Sequence, residues 1–214
     1  MKVILTFVLL PLALVAQGIE PIPLALPKPL FEGTPENLRV PNLEKPLGRP
    51  RPAFLAPAGT VNLAAGKPVS SSDSDPAIGD LEFVTDGQKS GADGTVVELK
   101  SGRQHVTIDL EAPATIYAIV LWHYLKQPRV YNDVIVQVAD DPDFLTNVRT
   151  LFNNDHDNSS GLGAGKEMNY VGTSEGKLID AKGVVARYVR LYSNGSTASP
   201  TNHYIEAEVY GKPK

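Results

Sequence analysis

"HVTIDL" at residues 105–110 alternates strictly between polar and apolar positions, and "TIYAIVLW" at 115–122 is apolar almost throughout. In the first, Val106, Ile108 and Leu110 share one face, which is the period-2 pattern of a half-buried strand. The second has no polar face to give to water, as a strand buried on both sides reads. The same logic runs onward. "DVIVQVA" (133–139) puts Val134, Val136 and Val138 on one face, and "RYVRLY" (187–192) sets Val189 and Leu191 opposite Tyr188, Arg190 and Tyr192. "IEAEVYG" (205–211) sets Ile205, Ala207 and Val209 opposite Glu206 and Glu208, which makes Glu208 a solvated residue. No convincing amphipathic helix separates these runs and no internal repeat is visible. The expectation is an all-β sandwich of about 150 residues, spanning 60–212.

Chain direction then sorts the connections. Strands are taken at 104–110, 115–122, 133–139, 149–154, about 176–181, 187–192 and 204–210, each running opposite to the one before. The connections 111–114, 140–148 and 182–186 then fall at one pole and are mostly short. The segment before 104 and the loops 123–132, 155–175 and 193–203 fall at the other. That second pole holds Asp86, Asp93, His123, Tyr124, Arg129, His156, Asn202 and His203, and His105 opens its strand there. All 4 histidines are therefore expected at one end. Long loops gathered on a rigid scaffold are where binding groups concentrate.

Composition bounds the rest. The chain has 214 residues and a formal net charge of -4, which argues against a general nucleic-acid binder. With Cys 0 it has no disulfide, no thiolate metal site and no cysteine nucleophile. Lys2, the apolar run Val3 to Val15 broken only by Thr6 and Pro11, and the small residues Ala16 and Gly18 read as an export signal over 1–18. The run is short for a membrane span; an uncleaved anchor is the alternative. No Cys follows it, so a lipoprotein anchor is excluded. The expectation is an exported protein, secreted, periplasmic or on the cell surface, with no stable membrane span after cleavage.

Residues 19–59 differ in kind. Pro21, Pro23, Pro27, Pro29, Pro35, Pro41, Pro46, Pro50, Pro52 and Pro57 favour extended chain over helix or ladder. The segment reads as a semi-rigid tether or disordered spacer. Its recurring Leu24, Leu26, Leu30, Phe31, Phe54 and Leu55 leave a second reading open, an arm laid against the domain or a partner protein.

"DHDNSSGLGAGKE" (155–167) imitates two motifs and satisfies neither. A calcium loop of the EF-hand type needs an acid or amide at its fifth position, Gly at its sixth and Glu at its twelfth; here these are Ser159, Ser160 and Lys166. A phosphate loop needs Gly where Ser160 stands, and Ser or Thr where Glu167 stands. What remains is a long polar loop. Gly161, Gly163 and Gly165 give it little stiffness of its own, and it is expected to rim the functional pole as an adaptable edge.

The ordered stretches "NLAAGKPVSSS" (62–72), Asp86-Gly87, "QHVTIDL" (104–110), "DVIVQVADDPDF" (133–144), "ARYVRLYSNG" (186–195) and "HYIEAEVYG" (203–211) resemble the discoidin, or coagulation-factor type C, domains. The resemblance covers roughly 60–212, leaving out the N-terminal segments. It implies a galactose-binding-like jelly-roll sandwich of about eight strands, and bacterial members are often carbohydrate-binding modules. This chain departs from the family in lacking the disulfide that joins the domain ends in vertebrate members. It also has "TVVEL" (95–99) where an aromatic usually follows the Asp-Gly loop, and a longer 155–175 loop.

The resemblance further implies one structural calcium between the Asp-Gly loop and a Glu near the C-terminus, positions that match Asp86 and Glu206. Thr95 stands about where a hydroxyl ligand is expected, Asp93 competes with it, and carbonyls near Phe83, Lys89 and Ile205 would complete a shell of six to eight oxygens. The plainer reading is a turn at Asp86-Gly87 and a solvated Glu206.

Around the pole, His123, Tyr124, Arg129, Tyr131, His156, Asn158, Asn202 and His203 are the ligand candidates. Aromatic rings that stack on sugar C–H groups and fixed polar groups that bond hydroxyls suit a carbohydrate or glycoconjugate. Trp122 reads as core. Two other classes stay open. One is attachment within a larger exported assembly through the proline-rich arm. The other is an enzyme using His123, His156 and His203 on zinc or copper, against which stands the absence of an HExxH motif or a nucleophile elbow.

Overall fold

The computed structural model describes residues 18–29, 38–91 and 94–214. The export-signal reading and Asp93 lie outside the described residues, apart from Gly18. Among the described residues the secondary structure is all β apart from a 3-10 turn at Leu81–Thr85. The strands are β1 Ile19–Pro21, β2 Leu55–Pro57, β3 Val61–Asn62, β4 Val69–Ser71, β5 Val97–Leu99, β6 Gln104–Trp122, β7 Ile135–Ala139, β8 Arg149–Asn153, β9 Lys177–Ser193, β10 Asn202–Tyr204 and β11 Glu206–Pro213. The main sheet runs β3-β11-β6-β9-β7-β8, with β4 also on β6, and β5 pairs with β10 separately. Each of these ladders is antiparallel.

The segments read as separate strands at 104–110 and 115–122 form one element, and so do those at 176–181 and 187–192. β6 pairs with β9 from Gln104↔Ser193 to Leu121↔Lys177, with a register break between Asp109 and Ala114. A second break falls between Ile116 and Ala118; left-handed Glu111, at φ 67°, lies at the first, and Lys182 at 53° and Gly183 at 73° lie at the second. The 19 residues of β6, if straight, would span roughly 60 Å. Its two ends instead lie a few residues apart. Ile205 donates its amide to the Trp122 carbonyl at 2.9 Å, and Asn202 Nδ2 reaches the Gly102 carbonyl at 2.9 Å. β6 therefore doubles over, and its two halves belong to the two layers of the sandwich. The expected polar sorting of loops follows: 123, 193–195 and 202–203 meet at one pole, and Arg149 bonds the carbonyl of Val185 at the other.

The core sits between the layers. Val106, Ile108 and Leu110 from the first half of β6 pack with Ile116, Ile119 and Leu121 from the second, joined by Val134, Val136, Val138, Val189, Leu191, Ala207 and Val209. These are the inward faces that the alternation predicts. A second apolar cluster lies on the outer side of the second half, where Ala118, Val120, Trp122 and Tyr210 are covered by Ile22 and Ala56, with Leu24 and Phe54 beside them. "TIYAIVLW" is thus buried on both sides because the proline-rich arm covers its outer face. The described arm is not a free spacer. β1 pairs with β2, Ile22 donates to the Phe54 carbonyl at 3.0 Å, and the Tyr210 hydroxyl reaches the Pro23 carbonyl at 3.5 Å.

Candidate functional site

At the loop-bearing pole, side chains from three segments pack into one polar cluster. His123, just after β6, stacks on Tyr131 with ring centroids 4.0 Å apart and 15° between planes. Its Nδ1 lies 2.8 Å from the His203 carbonyl. A carbonyl only accepts, so Nδ1 carries the proton and Nε2 is a bare acceptor. His203, on β10, places Nε2 3.0 Å from the Glu98 carboxylate on β5, which leaves Nδ1 as its bare acceptor. Arg129 lies over the Tyr124 ring at 4.2 Å and donates Nη2 to Gln127 Oε1 at 3.3 Å. Tyr204 abuts His123 at 5.1 Å and fixes its own hydroxyl on Ser193 Oγ and the Leu191 carbonyl.

Burial is the unexpected feature. His123 and Tyr131 are each 1% exposed, His203 6% and Arg129 7%, so these candidates do not line an open cleft. Tyr124 is half-buried. Yet His123 Nε2, His203 Nδ1, Tyr131 Oη, and Arg129 Nε and Nη1 are buried with no hydrogen-bond partner among the described residues. Buried polar groups are normally paired, so a concentration of unpaired ones marks a place of unmet hydrogen-bonding capacity. Burial pushes the His123 imidazole down to about 4. It also lowers His203, with Glu98 opposing, and raises the Tyr131 phenol to about 12. At neutral pH the cluster offers two imidazole lone pairs and unused guanidinium N–H groups. A hydroxyl satisfies both at once, since it donates to the first and accepts from the second.

Not every candidate joins this cluster. Asn202 accepts from Ser193 Oγ and the Gly195 amide and donates to the carbonyls of Lys100 and Gly102, at 2.7–2.9 Å, so its amide has no free group for a ligand. His156 and Asn158 are exposed on the long loop, and Asn158 Oδ1 accepts from the Gly163 amide at 2.7 Å. His105 opens β6 against Tyr192 at 5.1 Å. Burial, with Arg190 and Arg103 nearby, lowers its pKa to about 4. Two partners, Glu98 and Tyr204, were missed. Only the β5–β10 pairing brings Glu98 opposite His203, and no local signal in "TVVEL" points there.

The long loop is stiffer than its glycines suggest. Asp155, fully buried, accepts the amides of Ser159 and Ser160 at 3.0 and 2.9 Å. Gly165 and Lys166 return their amides to the carbonyls of Asp155 and Asn153. A Cβ on Gly165 would lie 2.1 Å from the Asn153 carbonyl oxygen. Glycine is present there for close approach, not for mobility. The loop also brings Asp155 and Asp157 to Asp133, with carboxylate oxygens within 4.8 Å of one another. The two outer acids are satisfied by Ser159 and Asn194 donors.

Beside the pole, the Asp86-Gly87 turn meets β11. Gly87 donates its amide to Glu206 Oε2 at 3.0 Å. Glu206 is fully buried, and its Oε1 has no hydrogen-bond partner among the described residues. Burial first, then repulsion from Glu208 and Asp86, pushes its carboxyl up to about 8. Asp86 itself is exposed and accepts from the Gln88 amide at 2.7 Å; Thr95 is half-buried close by in sequence. Glu208 is not solvated. It is 5% exposed, paired with Lys89 at 2.6 Å and bonded by the Tyr210 hydroxyl at 2.7 Å. The arm and the loop at 86–91 cover the strand face that the alternation assigned to water.

No family model and no curated protein matches the chain. Solved structures do match its fold. A chitosan-binding module from a chitosanase/glucanase of Paenibacillus sp. IK-5 is 20% identical, over 70% of this chain and 98% of that one, at a TM-score of 0.51. A family 89 glycoside hydrolase from Clostridium perfringens is 19% identical over 72% of this chain, at a TM-score of 0.53; the match spans 15% of that enzyme. At these identities the likeness shows the architecture alone, and it is the β-sandwich that the sequence resemblance implied.

Proposed function

We propose that this protein is an exported, non-catalytic carbohydrate-binding module that takes a glycan at the His123–Arg129–Tyr131–His203 pole. The observation that carries the reading is the gathering there of unpaired, neutral imidazole acceptors and guanidinium donors. Sugar hydroxyls supply the complementary donor and acceptor in one group, and the half-buried Tyr124 supplies a ring beside them. Because these polar atoms are closed to water, ligand access requires the 125–132 loop to move with Tyr124 and Arg129. The chitosan-binding activity named for one structural neighbour is in keeping with this class.

The same reading includes a calcium held by Asp86 and Glu206. The residues fit: a buried carboxylate oxygen without a partner beside an acidic turn is suited to a hard cation. Thr95, and carbonyls near Phe83, Lys89 and Ile205, would complete the shell. When bound, calcium supplies a fixed positive charge that ties the 86–91 loop to β11. Attachment through the arm is a second reading, favoured by Ile19 and Leu55, which are 71% and 58% exposed on the β1–β2 ribbon.

The test is an array of immobilised glycans, probed with the secreted protein in calcium and in chelator. Binding to a defined set of glycans, lost in Arg129→Ala and His123→Ala, is expected. A folded protein that retains no glycan under either condition would overturn the carbohydrate reading and favour attachment.

A further inference from the structure

The arm grips the wall of the binding pole. Arg51 straddles the turn at 175–176, donating Nη1 to the Gly176 carbonyl at 2.7 Å and Nη2 to the Glu175 carbonyl at 2.8 Å, while its amide meets the Glu175 carboxylate at 3.1 Å. Seven residues earlier in the arm, Glu44 takes Lys177 Nζ at 2.7 Å, and that ammonium lies over Tyr170 at 4.8 Å. Backbone bonds join the same partners. Glu44 donates to the Asn169 carbonyl at 2.8 Å, Asn169 to the Asn42 carbonyl at 2.9 Å, and Asn169 Nδ2 to the Pro41 carbonyl at 2.8 Å. Residues 41–51 thus serve as an added edge for 169–177.

The other side of that segment touches the polar cluster's support. Gly172 donates to the Arg129 carbonyl at 3.0 Å, and Val130 bridges Val171. Trp122 Nε1 donates to the Ser174 carbonyl at 3.0 Å, and a Cβ on Gly176 would lie 2.6 Å from the indole. Arg129 and Tyr131, whose Nε, Nη1 and Oη are buried without partners among the described residues, flank Val130 in the strip that 171–172 holds. The 169–177 segment is a single layer between arm and pole, so its position depends on both.

We infer that the proline-rich arm is a strap that positions the binding pole, with Glu44 and Arg51 acting through 169–177 on Arg129 and Tyr131. This rests on the reading of the pole as the glycan site. The Glu44–Lys177 ion pair is partly exposed, so salt loosens it while leaving the apolar cover in place. Arg51 is a fork over two carbonyls, a geometry that a lysine does not reproduce.

The experiment uses the full chain, with hydrogen exchange read by mass spectrometry on wild type, Arg51→Ala, Arg51→Lys and Glu44→Gln. In the Ala variant, exchange in peptides covering 169–177 and 129–131 is expected to rise about tenfold, as for a locally released segment, while 104–110 keeps its protection. Affinity for the glycan that wild type retains best on the array should fall by about tenfold, with Arg51→Lys failing to restore it. Faster exchange confined to 41–51, with unchanged affinity, overturns the inference. If the Ala variant does not fold, the wild type still decides. Saturating it with that glycan must slow exchange in 41–51, because coupling is reciprocal, and an unchanged arm overturns the strap. If wild type retains no glycan, the proposed function fails, and the exchange at 129–131 alone decides whether the arm positions that segment.

Discussion

Gly87 donates its amide to one oxygen of the Glu206 carboxylate at 3.0 Å, although 119 residues separate them, and the other oxygen is buried without a partner. This contact ties an exposed acidic turn to a fully buried acid, whose burial outweighs the Gly87 bond and raises its carboxyl.

The folded Glu206 carboxyl lies at about 8 against an ordinary value of 4.5. The stability it allows is fully present below 4.5 and is lost as pH rises through 8, because the unfolded chain releases the proton first. In chelator, the melting midpoint should therefore fall from pH 5 to pH 8, and Glu206→Gln should flatten that slope. Added calcium should raise the midpoint at pH 8, the ion stabilising the fold by about 2.7 kcal/mol at a hundredfold excess over its dissociation constant. Calorimetry in both buffers checks this; a wild-type profile identical with and without calcium would remove the ion from Glu206.

His123 has the opposite sign. Its folded pKa of about 4 lies below the ordinary 6.5 because burial disfavours the charged ring. Its contribution is present above 6.5 and lost as pH falls through 4. Urea midpoints taken between pH 7 and pH 4 should drop in wild type and drop less in His123→Phe.

Asp155 organises the long loop, so replacing it is a test of stiffness. Asp155→Ala strips the acceptors from the Ser159 and Ser160 amides and should cost roughly 3 kcal/mol. For a chain of this size that is a fall of about 6–12 °C in the thermal midpoint. Gly165→Ala should also destabilise, since its Cβ would meet the Asn153 carbonyl. An unchanged midpoint in both variants would mean that the loop is as slack as its composition suggests.

Removing the arm exposes the outer face of the second half of β6. A chain starting at Thr60 loses the cover that Ile22 and Ala56 give to Val120, Trp122 and Tyr210, with Ile22 alone contributing about 2 kcal/mol. Trp122 is the one tryptophan in the chain, so its emission reports the change directly. A red shift, with increased binding of an apolar dye, is expected. Emission identical to that of the full chain would show that the arm does not cover the indole in solution.

Much of the fold was legible. Alternation alone assigned Val106, Ile108, Val136, Val189 and Val209 to the core, because a strand's side-chain period is fixed by covalent geometry. Direction counting placed the long loops together, because antiparallel neighbours must return to the same end. The breaks at 109–114 and 181–183 were not legible as irregularities within continuous ladders: left-handed Glu111 and Lys182 carry no glycine-like signature, and Gly183 reads as an ordinary turn between two separate strands. His123, Arg129, Tyr131 and His203 could be placed at one pole from the sequence; their burial and the Glu98 partner could not, since both depend on packing between distant segments.

Period and chain direction suffice to specify the inward faces and the pole at which the polar residues collect. Which outward faces meet water depends instead on packing between distant segments. Glu206 and Glu208 alternate like solvated residues, and "TIYAIVLW" has no polar side at all; both facts are resolved by an arm and a turn more than a hundred residues distant in the chain from β11. Burial of a strand's second face is a property of whatever segment packs across it. No local period encodes that segment, and so the electrostatics of Glu206 and the closed state of the His123 cluster follow from assembly of the chain and not from any stretch of it.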